Sequence, residues 1–336
     1  MPSTRRGFLT TTALGAAALM SRAASADTID LKLSHYLPPN HTIHKALEGW
    51  VADLAQRSGG RLNIKIYPAS QLGPAPRQYD LARTGQADLA VGLTGATPGR
   101  YPMTELASLP FVWPKAGSLS AITSPRLTEL APKYLAPEYE GVHILWIGAP
   151  PTINFFTARR EITSLADIKG LKIRFQGEQH AKVLRLLSAV PMQVQPGEIA
   201  DGMSKGVIDG ALFNFEAAES FGLGPIARHV SGPGFLTGTL GLVINQARYD
   251  GLPPDLRAMI DDTSGVKFVE TMGRNWDAAE QHGRDYMVAN NSTIKPLPPD
   301  QVEAMRTTLD PLTTESVDAL EKAGKPARAF LEAYRQ

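Results

Sequence analysis

No cysteine occurs among the 336 residues, so disulfides and thiolate metal sites are excluded. No stretch of the chain reaches the roughly 20 apolar residues that a spanning helix needs, and no stable membrane insertion is expected. There is no excess of charge: Lys plus Arg number 34 and Asp plus Glu 33, a formal net charge of +1 that speaks against a nucleic-acid partner. P-loop, dinucleotide glycine fingerprint and paired acid–base carboxylates are all missing, and glycines such as Gly222 and Gly224 lack a strand–loop–helix setting. No cofactor is expected. What remains, with 43% hydrophobic and 20% charged residues, is an ordinary globular composition on a chain long enough for two α/β lobes.

The first 26 residues read as an export signal. Thr4-Arg5-Arg6-Gly7-Phe8-Leu9 precedes an apolar run over 13–20, and Ala24-Ser25-Ala26 precedes Asp27. The paired arginines resemble a twin-arginine signal, which predicts cleavage after Ala26 and release into a bacterial periplasm.

From there the chain alternates. Ile29, Leu31 and Leu33 at period 2 predict a strand ending at His35-Tyr36, positions 44–56 predict a helix, and Leu62, Ile64 and Ile66 a second strand. A helix near 77–83 and the turn Gly85-Gln86-Ala87-Asp88 lead into a buried strand. The same punctuation returns later, with 171–175 in the place of 62–66, a helix over 196–204, and Gly206-Val207-Ile208-Asp209 entering another strand. Crossings between lobes are expected at Ala149-Pro150-Pro151 and within 232–241, a two-strand hinge. This divides the chain into lobe I, 27–150 plus 239–280, and lobe II, 151–238 plus 281–336 with the C-terminal helices. One long helix is expected over 266–288, with Gly273 and Gly283 inside it, and two helices over 301–334.

Gly170-Leu171-Lys172-Ile173-Arg174 carries an arginine to the carboxyl end of a short strand, where ligands sit in open α/β sheets. A guanidinium there is either a carboxylate clamp or a surface arginine paired with Glu178 or Asp201; spacing leaves both open. Gly202-Met203-Ser204-Lys205-Gly206 matches the nucleophile elbow of a hydrolase, but helix precedes and strand follows Ser204, the reverse of what the elbow requires. His35, His41 and His44 fall close enough for a zinc site, yet no H-E-x-x-H order supports one, and no metal is expected. His35 or Tyr36, at a strand end, is expected to touch ligand instead. Phe213 and Phe215 would share one strand face with Asn214 on the other, so either the rings or the amide would line a pocket.

Taken in order, Gly59-Gly60-Arg61 before Ile64-Lys65-Ile66-Tyr67-Pro68, Gln71-Leu72-Gly73, Gly85-Gln86-Ala87-Asp88, Leu109-Pro110-Phe111, the run from Leu165 to Arg174, and Gly206-Val207-Ile208-Asp209-Gly210 resemble one family. It is the periplasmic solute-binding subunit of tripartite ATP-independent periplasmic (TRAP) transporters, dicarboxylate-binding-protein (DctP) type. The resemblance implies a two-lobed α/β binding protein with a hinge and a central cleft. It implies no catalysis, and delivery of a small organic acid to the TRAP membrane permease subunits. It assigns the substrate carboxylate to Arg174. Asn154, Phe213, Asn214, Phe215, His35, Tyr36, Gln176 and Thr94 complete the expected ligand contacts. Two departures narrow the ligand: Phe213 stands where many members have asparagine, and Asn154, Phe155 and Phe156 stand where some sugar-acid binders have a second arginine. A 2-oxo, 2-hydroxy or aromatic monocarboxylate is therefore expected rather than a sugar acid or dianion. The rival readings are a serine hydrolase using Ser204 and a carboxylate-sensing partner of a membrane kinase.

Overall fold

Residues 28–336 are described in the computed structural model, so the export signal and its cleavage position lie outside the described residues. The period-2 run forms β1 (Ile29–His35), with Leu31 and Leu33 buried and Asp30 and Lys32 exposed. It is followed by β2 (Leu62–Tyr67), β3 (Leu89–Leu93), β4 (Val142–Gly148), β5 (Ile153–Thr157) and β6 (Lys172–Arg174). Then come β7 (Val190–Met192), β8 (Gly210–Phe213), β9 (His229–Leu236), β10 (Leu240–Asn245) and β11 (Thr293–Lys295). The helix Thr42–Arg57 crosses from β1 to β2, burying Ile43, Leu47, Trp50 and Leu54 on one stripe, and ends at Gly59 and Gly60, whose φ angles of 62° and 81° suit glycine.

Two sheets result, β2-β1-β3-β10-β4 and β11-β9-β5-β8-β6-β7. In each, a parallel three-strand unit has its first strand in the middle: β1 between β2 and β3, β6 between β7 and β8. The internal echo is therefore real, but its phase differs from the sequence reading. Lys172–Arg174 takes the place of β1, and Val190–Met192, too short to stand out, takes that of β2. The glycine-aspartate turns do the same work twice. Asp88 accepts the Lys32 N–H at 2.7 Å and returns its own N–H to the Lys32 carbonyl at 2.9 Å. Asp209 does so with Lys172 at 2.8 Å in both directions.

Next to each parallel unit lies an antiparallel strand delivered from the other side: β10 beside β3, and β5 beside β8. The chain passes between sheets at 149–152 and at 237–239. The second crossing is shorter than the sequence suggested, because 232–236 are strand β9 despite their glycines. Thr237 and Thr239 are buried at this passage, and the Thr237 hydroxyl donates to the Pro150 carbonyl at 2.7 Å, tying one crossing to the other. A shared core runs beneath both sheets, joining Ile147 and Val243 to Phe155, Ile173 and Leu212, and it is sealed by Phe330 and Tyr334 of the last helix, Ala327–Arg335.

The long helix spans Gly265–Ala289 without a break and bridges the two sides. Its Asp277 accepts the N–H groups of Ser120 and Ala121 at 2.8 and 3.0 Å, opening the helix Ser120–Leu130 beside β4. Its Glu280 accepts those of Phe215 and Glu216 at 3.0 and 2.9 Å, opening the helix Phe215–Ser220 beyond β8. Each carboxylate satisfies donors that a helix start leaves open. The glycines allow the approach: a Cβ on Gly273 would lie 2.6 Å from the Ser120 carbonyl oxygen, and one on Gly283 2.3 Å from that of Phe215. Gly283→Ala should therefore lower the unfolding free energy in urea titrations by about 1–3 kcal/mol, as backbone rather than a flexible side chain has to move.

Candidate functional site

Gly170, at φ 75°, makes the turn into β6, after which Lys172 faces solvent, Ile173 enters the core and Arg174 ends the strand. Arg174 is only 2% exposed. Its Nε donates to the Val194 carbonyl at 3.2 Å, its guanidinium carbon stands 5.5 Å from the Phe213 ring centre, and Nη1 finds no partner among the described residues. Neither surface partner engages it: Glu178 pairs with Arg185 at 3.2 Å and Asp201 with Lys205 at 2.8 Å. The solvated-pair reading is thereby corrected, because β6 is a central strand and covers its own last residue. Burial pulls the Arg174 pKa down to about 10, which still leaves a cation at neutral pH.

That cation forms part of a narrow cavity, about 30 Å³, between the sheets. Arg174, Gln176, Pro196, Phe213, Asn214, Glu216, Ala217 and Phe221 line it from one side, Tyr36, Leu37, His41, Leu93 and Leu240 from the other, with Pro150 and Trp276 at the joint. Asn214 Nδ2 and Gln176 Oε1 are buried without partners among the described residues, so this wall offers unmet polar groups beside the guanidinium. Burial also holds the Tyr36 hydroxyl above its ordinary range, keeping it protonated. The sides meet directly: a Cβ on Gly95, just beyond β3, would lie 2.5 Å from the Gln176 carbonyl oxygen and 2.8 Å from Gly177 Cα. The cleft is shut.

Of the nine residues expected at the ligand, Arg174, Tyr36, Gln176, Phe213 and Asn214 come together here. The other four do not. His35 lies behind the wall, its Nε2 3.0 Å from His44 Nδ1, while Thr94 belongs to the hinge, bonded through its hydroxyl to Thr239. Asn154 gives its oxygen to the Gly234 N–H at 2.9 Å and, with Phe215, lines a separate groove beside the long helix. The strand-face argument for 213–215 fails because β8 stops at Phe213; Asn214 precedes a helix, so Phe213 and Asn214 both reach the cavity and Phe215 turns away onto Phe156, 5.2 Å between ring centres. Ser204 is exposed at the end of the helix Ile199–Ser204 rather than on a strand-to-helix turn. The histidines do not converge on a common point: His44 also approaches Glu48 at 3.3 Å, and His41 approaches Glu216 at 3.4 Å.

The profile described as bacterial extracellular solute-binding protein, family 7 (DctP), matches residues 33–319. The chain belongs to this family. A TRAP solute-binding protein from Rhodoferax ferrireducens, solved with copurified benzoate, is 30% identical, with a TM-score of 0.86 over 92% of this chain and 97% of that one. A second, from Bordetella bronchiseptica with bound (R)- and (S)-mandelate, is 28% identical at a TM-score of 0.84, over 91% and 98% of the two chains. The C4-dicarboxylate-binding periplasmic protein DctP of Rhodobacter capsulatus is 25% identical over 256 residues, 74% of this chain and 75% of that one. This family 7 protein is thus a two-lobed solute receptor of the TRAP type, and among its described residues no helix is long and apolar enough to cross a membrane.

Sequence reasoning missed Glu216, Phe221 and Trp276 on the cavity wall, and it considered His41 only as a metal ligand. No local signal marked His41, because histidine is not among the residues favoured at the helix N-cap it occupies. Close by, His180 is buried and donates Nε2–H to the Thr237 carbonyl at 2.9 Å, and burial first, with Arg174 adding to it, lowers its pKa to about 4. Unfolded, the ring titrates near its model value of 6.5, so the unfolded state binds more protons between these values. The stabilisation is therefore complete above pH 6.5 and lost as pH falls toward 4. Urea unfolding at pH 7 and pH 4.5 should show His180→Gln losing about 1–3 kcal/mol less than the parent between the two conditions.

Proposed function

We propose that this receptor captures an aromatic monocarboxylate in the periplasm, shuts over it and hands it to a TRAP permease, performing no reaction on it. The observation that carries this reading is Arg174: a cation 2% exposed, in no ion pair among the described residues, facing a cavity walled by Phe213, Phe221, Trp276 and Tyr36. A buried charge without a partner is costly, and an arriving carboxylate removes that cost. Nη1 of Arg174 and Nδ2 of Asn214 are the donors for it, while the rings and Leu37, Leu93 and Leu240 take an apolar body. The wall carries Glu216 and no second arginine or lysine, which disfavours a dianion.

Support for an aromatic body also comes from the relatives, whose bound molecules are benzoate and mandelate. The closing bodies we propose are built on the two sheets and turn about 149–152 and 237–239. Ligand held on one wall gains the other only when the cleft is shut, and this difference in affinity shifts the population. Export by the segment ending at Ala26 completes the proposal.

Calorimetric titration with benzoate, 3-hydroxybenzoate, (R)-mandelate, succinate and galacturonate tests it. One of the three aromatic acids should bind at least tenfold more tightly than succinate or galacturonate. Arg174→Ala should weaken that acid by roughly 10²- to 10³-fold, in line with about 3–5 kcal/mol for stranding one member of a buried ion pair. Arg174→Lys should also lose affinity, since an ammonium lacks the planar fork. Affinity near the parent's in both variants would refute the clamp.

A further inference from the structure

Glu216 is 3% exposed and is a point where three separate elements meet. Its Oε1 accepts the Thr42 N–H at 3.0 Å, at the start of the helix Thr42–Arg57 on the β1 side, and the Ser220 hydroxyl at 3.3 Å. Its Oε2 accepts the indole N–H of Trp276 at 3.2 Å and lies 3.4 Å from His41 Nε2. His41 Nδ1 accepts the Ile43 N–H at 3.2 Å as the cap of its helix. The neutral ring therefore carries its proton on Nε2, the nitrogen nearest Glu216, and burial favours that neutral form.

Behind it, Glu216 is held on the β8 side, where its own N–H goes to Glu280 at 2.9 Å. Of its contacts, those to Thr42 and His41 cross the cleft, as does the bond from Trp276, which packs in the β1-side core, and Asn40 Nδ2 donates to the Ser220 carbonyl at 3.3 Å alongside them. Opening the cleft would part Glu216 from these partners. The contacts of Glu216 are charge-assisted, one of them lies at a helix N-terminus, and the carboxylate that makes them is buried.

We infer that Glu216 is a positioning residue for ligand retention: it latches the two sides together at the cavity wall instead of bonding the acid. The inference rests on the carboxylate reading above. A latch made only after closure stabilises the shut state and leaves the encounter with the open cleft unchanged, so it acts on the rate of release. Its oxygens are already engaged by Thr42, Ser220 and Trp276, which is why it is assigned to the latch and not to the ligand.

Stopped-flow binding with whichever of benzoate, 3-hydroxybenzoate and (R)-mandelate binds the parent most tightly tests the assignment. Glu216→Gln keeps the shape and one acceptor but turns an amide N–H toward Trp276 and His41. It should raise the release rate on the order of tenfold while the association rate stays within about threefold. His41→Asn retains an oxygen to cap Ile43 and removes the donor to Glu216, and it should raise the release rate by a smaller factor. Unfolding midpoints of the ligand-free variants establish that they are folded, and a purely structural role would lower the midpoint without separating the two rates. The latch is overturned if the folded variants release ligand at the parent's rate, or if the loss lies in association. Should Glu216→Gln not fold, His41→Asn decides by the same criterion. If none of the three acids binds the parent, the carboxylate reading falls first and takes the latch with it; binding abolished by Arg174→Ala but unmoved by Glu216→Gln sinks the latch alone.

Discussion

A guanidinium enclosed by protein and paired with no acid among the described residues is the constraint around which the cleft is built. Proteins seldom leave such a charge bare, since desolvation costs several kcal/mol per ion even after relaxation. Arg174 is tolerated because the Val194 carbonyl takes Nε–H and the Phe213 ring lies alongside it, both partial compensations. What they leave undone is what the proposed carboxylate would supply. The strand that carries the arginine is three residues long, yet it sits between β7 and β8, so its last side chain is delivered inward with little freedom.

The two parallel units superpose their roles as well as their strands. Asp88 and Asp209 bond Lys32 and Lys172 alike, which sets Ser34 against Arg174, Tyr36 against Gln176 and Leu93 against Asn214. From one scaffold the first unit thus presents a ring and an aliphatic wall, and the second a cation and two amides. An acid with an apolar body meets a cleft divided along its own length. This division arises from side chains at matching positions of two units that share their strand order.

Much of this was legible because period-2 and helical spacing report burial directly, as in Ile29–His35 and Thr42–Arg57. The repeated glycine-aspartate turn was legible for the same reason, being local. Arg174 was ambiguous on spacing, since whether a strand is central or at an edge is a property of the sheet; the family resemblance supplied what spacing left open. Phe215 was misplaced because a strand face was extended past the point where a helix begins. Asn154 lies opposite Phe213 in the ladder, yet its amide turns to Gly234 on the neighbouring strand, which no linear pattern encodes. Glu216 and Trp276 meet across 60 positions of sequence, and neither carries a local mark of the cavity they share.

The two crossings suit the closure proposed above. At each crossing the chain is paired right up to the passage: Leu240 stands opposite Gly148, and Ile153 opposite Leu236. Bending is therefore confined to a few residues, and each side holds them, Thr94 through Thr239 and His180 through Thr237. The long helix adds a second restraint, because Asp277 and Glu280 grip helix starts belonging to different sides about one turn apart. A rigid rod fixed at both points would forbid opening. Opening must then be absorbed by bending of the rod between these acids or by slackening of one grip, and Trp276, beside Asp277 and bonded to Glu216, stands where that adjustment and the cavity wall coincide.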